Sequence, residues 1–179
     1  MLTLVRPVPI VSRSGKKWGE MGDLPFLHML RGPTKITLDA KGRVSIPTKY
    51  RERIAARCNG QLICTVDQRS CLLIYPLPDW EETERKLMRL PSLNPTAQKL
   101  RGLLMGYATD LELDGHGRVL IPKEHREFAG LERQAMMFGQ GNKFEMWDEG
   151  RWADQLNRWL DEGAADGSDL PDELERLSY

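Results

Sequence analysis

The marks of an enzyme are scarce in this sequence of 179 residues. It holds three cysteines, Cys58, Cys64 and Cys71, with no Cys-x-x-Cys spacing among them. Cys64 and Cys71 sit in or beside apolar strands, which reads as buried thiols in a reducing cytoplasm, not as disulfides or a nucleophile. Three histidines, His28, His116 and His125, lie scattered without the paired spacing of metal ligands, and read as ordinary surface residues. Gly42 and Gly117 stand alone and form no phosphate loop. No metal, no cofactor and no catalytic residue is implied, which disfavours a hydrolase. Long apolar runs are missing too, so no segment reaches membrane-spanning length. In the first 28 residues, prolines and the basic Arg6, Arg13, Lys16 and Lys17 interrupt what a signal peptide would need as an unbroken apolar core. That stretch reads as a flexible extension, and Met29 as an alternative translation start. Net charge is also absent, with 26 basic and 26 acidic residues.

What is present is a repeat. Asp39-Ala40-Lys41-Gly42-Arg43-Val44-Ser45-Ile46-Pro47 recurs 75 residues later as Asp114-Gly115-His116-Gly117-Arg118-Val119-Leu120-Ile121-Pro122. Six of the nine positions are shared, and Arg51-Glu52 still matches Arg126-Glu127 at the same offset. A repeat this long is a duplicated structural unit. Within one copy, Ile36-Thr37-Leu38 and Val44-Ser45-Ile46 alternate apolar and polar, giving two short strands around a polar turn. Gly42 and Gly117 supply backbone that a Cβ would strain, and Asp39 and Asp114 can bond the backbone of their turns. Pro47 and Pro122 end the strands and suit the start of a helix. The matching turn contexts favour that backbone role for the two aspartates over a paired-carboxylate site.

The chain then divides into an extension (1–28), a first repeat (29–91), a linker helix (92–108), a second repeat (109–160) and an acidic tail (161–179). In the first repeat the pattern predicts a helix from Thr48 to Arg57 and strands over 61–66 and 71–75. A helix follows from Pro78, with Trp80, Leu87 and Leu90 on its apolar side. Asn94-Pro95 opens the linker helix. The second repeat follows the same order, with a helix over 123–129, strands over 135–138 and 144–147, and a closing helix carrying Trp152, Leu156, Trp159 and Leu160. A short helix near 173–177 is expected in the tail. The order is that of an α+β protein. Repeats of about 60 residues are hard to stabilise alone, so the halves should pack on each other or on other subunits.

The zero net charge conceals a split. Residues 1–109 carry 18 Lys and Arg against 9 Asp and Glu, while residues 110–179 carry 8 against 17. Arg31, Lys35, Lys41, Arg43, Lys49, Arg51, Arg53 and Arg57 face only Asp39 and Glu52 in their stretch, a field that attracts polyanions.

The two Asp-x-x-Gly-Arg-Val-x-Ile-Pro copies, together with Tyr75-Pro76-Leu77-Pro78-x-Trp80 and Gly141-Asn142-Lys143-Phe144-Glu145-x-Trp147, resemble the MraZ family. The repeat is similar to the AbrB-type swapped-hairpin DNA-binding domain. The resemblance covers about 30–159, and residues 1–28 depart from it. It implies two tandem AbrB-like repeats forming small β-barrel-type sheets with packed helices, assembled into an octamer-like homo-oligomeric ring. It also implies a cytoplasmic, nucleoid-associated regulator that binds short direct repeats in double-stranded DNA upstream of the division and cell-wall gene cluster.

Under that resemblance the DNA-binding candidates are Arg43, Lys41, Lys35 and Arg118, and the turn-shaping residues are Asp39, Gly42, Asp114 and Gly117. Arg43 at the end of its turn can grip phosphate or guanine, with Lys41 on a phosphate. The alternative is an Asp39–Arg43 pair that only closes the turn. That alternative weighs more on Arg118, whose sequence neighbours Glu112, Asp114, Glu124 and Glu127 are acidic. A non-catalytic interaction module, or an antitoxin-like protein partner, remains the second reading of function.

Overall fold

A computed structural model describes residues 29–162 of the chain; the extension over 1–28 and the tail helix expected near 173–177 lie outside the described residues. Thirteen elements follow in order: β1 (Leu30–Thr37), β2 (Arg43–Ser45), α1 (Thr48–Cys58), β3 (Gln61–Asp67), β4 (Cys71–Pro76), α2 (Leu77–Met88), α3 (Pro95–Leu104), β5 (Thr109–Glu112), β6 (Arg118–Leu120), α4 (Lys123–Ala129), β7 (Gln134–Gly141), β8 (Phe144–Asp148) and α5 (Glu149–Glu162). Local chemistry sets several boundaries. Helix α1 starts after Pro47 and stops at Asn59, which turns to φ 50° and donates its N–H to the Ala55 carbonyl. Asn94 caps α3, its side-chain oxygen accepting from the Ala97 N–H at 3.1 Å, with Pro95 at the first helical position.

The strands do not sort by repeat. The main sheet runs β1-β7-β8-β4-β3-β5, antiparallel throughout, and β2 pairs with β6 in a second, two-stranded ladder. Strand β1 of the first repeat thus pairs with β7 of the second, from Leu30↔Gly141 to Thr37↔Gln134. Strand β5 of the second repeat pairs with β3 of the first, and Val44 of β2 faces Val119 of β6. Each repeat lends its leading strand to the other's hairpin. Where small barrel-type sheets were expected, the pairing forms one sheet that ends at β1 and β5. The reason is this exchange: the leading strands are spent across the repeat boundary instead of closing their own units.

Both faces of the sheet are covered, which explains why β4, Cys71-Leu72-Leu73-Ile74-Tyr75-Pro76, is buried at every position instead of alternating. One core joins Leu62, Cys64, Val66, Leu72, Ile74, Phe144 and Met146 to Tyr50 and Ile54 of α1 and to Val44, Ile46, Val119 and Ile121. On the other face Ile63, Leu73, Tyr75, Phe138 and Trp147 meet Trp80 of α2 and Trp152 of α5. Trp80 and Leu87 of α2 are buried as its apolar side predicts. All three cysteines are free and buried, and burial pushes the thiols of Cys64 and Cys71 well up. They are core residues.

His125 corrects the sequence reading. It is buried, with Nε2 2.7 Å from the Tyr107 carbonyl oxygen. Its counterpart 75 residues earlier is Tyr50, whose hydroxyl donates to the backbone carbonyls of Arg31 and Gly32. Both copies use this helix position to bond backbone beyond the helix, and an imidazole serves as well as a phenol.

Candidate nucleic-acid interface

Each turn is built by its aspartate. Asp39 Oδ1 accepts from the backbone N–H groups of Lys41 and Arg43, both at 2.9 Å, while the Gly42 N–H donates to the Asp39 carbonyl at 2.8 Å. Asp114 does the same with His116 and Arg118 at 2.9 Å each, and Gly117 closes at 2.8 Å. Gly42 at φ 81° and Gly117 at φ 74° occupy the left-handed region that disfavours side chains. Arg43's backbone N–H, its guanidinium and the Lys41 N–H together hold the Asp39 carboxyl at about 2, below the ordinary 3.8. Asp114 is held at about 2 by the matching groups of Arg118 and His116.

The arginines at the turn ends are oriented by these carboxylates. Arg43 Nε donates to Asp39 Oδ2 at 2.7 Å, and among the described residues no protein group takes its two terminal nitrogens. Arg118 has both Nε and Nη2 at 2.9 Å from Asp114 Oδ2. The two side chains are similarly accessible, 34% and 30% exposed. The turn-closing pair is therefore present in both copies, with one Nε hydrogen bond to the aspartate in each.

The β2–β6 ladder joins the two turns, one at each of its ends. Arg43 faces Leu120, Ser45 faces Arg118, the Ile46 N–H donates to the Gly117 carbonyl at 2.9 Å, and the Ile121 N–H donates to the Gly42 carbonyl at 3.0 Å. Arg118 is consequently set against the basic first repeat, whatever its acidic neighbours in sequence. Two further arginines join them. Arg51 reaches Gly117 of the opposite repeat, and Arg126 reaches Gly42, so closely that a Cβ on those glycines would lie 2.5 Å and 2.7 Å from the respective Cζ atoms. Their only sequence signal was the match of Arg51-Glu52 to Arg126-Glu127. Asp39 and Asp114 offset Arg43 and Arg118, while Lys41, Arg51 and Arg126 add cations at the turns.

Lys35 stands apart from the turns. It lies on β1 with its ammonium 2.5 Å from Glu149 at the start of α5. A partly buried charge cluster, Arg69 with Asp67 and Glu145 at 2.7 Å each and Glu145 with the Trp147 indole at 2.9 Å, braces the sheet on its other face. No helix among the described residues is long and apolar enough to cross a membrane.

Comparison with known proteins matches the chain to the family model of MraZ protein, described as antitoxin-like, over residues 29–102 and 104–169. A transcriptional regulator MraZ of Halorhodospira halophila is 50% identical over 151 residues, covering 84% of this chain and 99% of the relative. Relatives of the same name from Methylococcus capsulatus and Escherichia coli are 48% and 46% identical, each over 84% of this chain and over 100% and 99% of their own lengths.

Proposed function

This chain belongs to the MraZ family, and on that premise we propose that it regulates transcription by gripping double-stranded DNA with its paired turns. The supporting observation is the reciprocal pair of Asp-braced turns, which sets Arg43 and Arg118 at the two ends of one short antiparallel ladder. Arg43 makes the specific contact: its free terminal nitrogens match the two acceptors of a guanine edge. Lys41 and Arg118 add phosphate contacts. Lys35, held by Glu149, contributes at the edge of the field.

The target is a set of short direct repeats upstream of the division and cell-wall gene cluster, met in the cytoplasm at the nucleoid. Copies of the chain form an octamer-like ring. Leu156, Trp159 and Leu160 on α5 and Met88 on α2 are exposed apolar residues available to such an assembly. A gel shift with duplex DNA from upstream of the chain's own gene tests this reading. Binding that is tight at low salt and falls steeply as salt rises is expected. A protein partner, as the antitoxin-like description of the family suggests, is the second reading. Failure to shift that DNA at any salt would favour it and overturn the first.

A further inference from the structure

We propose that Arg51 and Arg126 are positioning residues, each fixing the turn of the opposite repeat so that the arginine after that turn meets DNA in a set pose. The inference rests on the DNA-binding reading above. Arg51 lies in α1 of the first repeat, and its Nε donates to the Ile46 carbonyl at 2.7 Å. The Ile46 N–H in turn donates to the Gly117 carbonyl. The guanidinium of Arg51 then lies over Gly117 itself, in space that a Cβ would fill. Arg126 repeats every step from α4: its Nε donates to the Ile121 carbonyl at 3.1 Å, Ile121 bonds Gly42, and the guanidinium covers Gly42.

The wiring is crossed. Arg51 of the first repeat fastens the turn that carries Arg118, and Arg126 of the second fastens the turn that carries Arg43. Glycine is required at each turn both for its backbone angle and for the arginine laid against it. A planar, forked guanidinium can bond a carbonyl at its edge while its face covers a glycine; an ammonium cannot do both. Arg51 and Arg126 thus act on DNA through Arg118 and Arg43.

Double-mutant cycles on the full chain, read as affinity for the upstream duplex over a range of salt, test the crossing. Arg51→Ala should weaken specific binding by at most the factor that Arg118→Ala costs, roughly tenfold for one good base or phosphate contact. In the Arg118→Ala background it should cost nothing further and leave the salt slope unchanged. In the Arg43→Ala background its factor should multiply through in full. Arg126→Ala should show the mirror pattern, coupled to Arg43 and independent of Arg118. Arg51→Lys, which keeps the charge, should not restore binding. Melting temperature and assembly mass are checked on each variant. If Arg51→Ala does not fold, Arg51→Lys and the Arg126 cycle carry the same test.

Losses that multiply with both partners, rescue by lysine, or a salt slope reduced by about one in the Arg118→Ala background would mark direct phosphate contact and overturn the positioning role. In that case Arg43→Ala still weakens binding, and the DNA-binding reading stands. If Arg43→Ala and Arg118→Ala both bind as the parent does, the reading of the turns fails and the positioning role falls with it.

Discussion

At the scale of single residues, the two turns are near copies whose small differences carry the expectations. Each arginine makes one Nε hydrogen bond to its aspartate, but Lys41 accompanies Arg43 where His116 accompanies Arg118. Arg43→Ala should therefore cost specific binding about 1–3 kcal/mol per contacted site, and Arg118→Ala less. Anisotropy titrations of both variants on one duplex decide the order; equal losses would sink the distinction. The aspartates set a pH window. Their folded values of about 2 lie below the ordinary 3.8, so the order they confer is complete above 3.8 and is lost as pH falls toward 2. Near neutral pH neither aspartate should titrate. Carboxyl carbon-13 NMR should find both groups ionising at about 2, and midpoints near 3.8 would mean that the turn bonds do not hold in solution.

At the scale of elements, the strands and helices were legible in the sequence, while their partners were not. Alternation around Asp39 and Asp114, the prolines after each motif and the Asn94 cap placed most boundaries within a few residues. Alternation says that a strand has a buried side; it does not say whose strand lies next to it. Hence β1 against β7 and β5 against β3 could be read only in the structure. The same gap hid His125, whose burial depends on Tyr107, and Arg51, whose partner glycine is 66 positions away in the sequence. The exchange has a direct consequence for fragments. Residues 29–91 alone lack β5, β7 and β8, so β1 has no partner from within the fragment and β3 and β4 keep only each other. Such a fragment should fold only as a concentration-dependent dimer that replaces the missing half with a second copy. A folded monomer, seen as a dispersed NMR spectrum at low micromolar concentration, would contradict this.

At the scale of the whole molecule, the exposed apolar residues of α5 are the feature that a free single chain does not explain. Leu160 is 67% exposed, and Leu156 and Trp159 stand beside it on the same helix. Light scattering should report a mass many times the 20.5 kDa of one chain, and Leu160→Asp with Trp159→Asp should lower it. A clean monomer of the parent chain at micromolar concentration would remove the ring. If the proposed ring forms, steep DNA binding is expected at this scale, because several subunits on successive sites would multiply modest contacts into avidity.

The near-symmetry of the two turns sets what kind of message they can read. Two identical chains related by a two-fold axis are matched by a palindrome, which looks the same from either end. Here the two halves are one polypeptide, and they have diverged where it counts: Lys41 in one turn stands opposite His116 in the other. The covalent join lets that difference persist, since no exchange of subunits can average it away. A reader made this way has a front and a back. On the DNA-binding reading proposed above, it should take DNA in one orientation, and a row of such readers should match one short word repeated in the same direction.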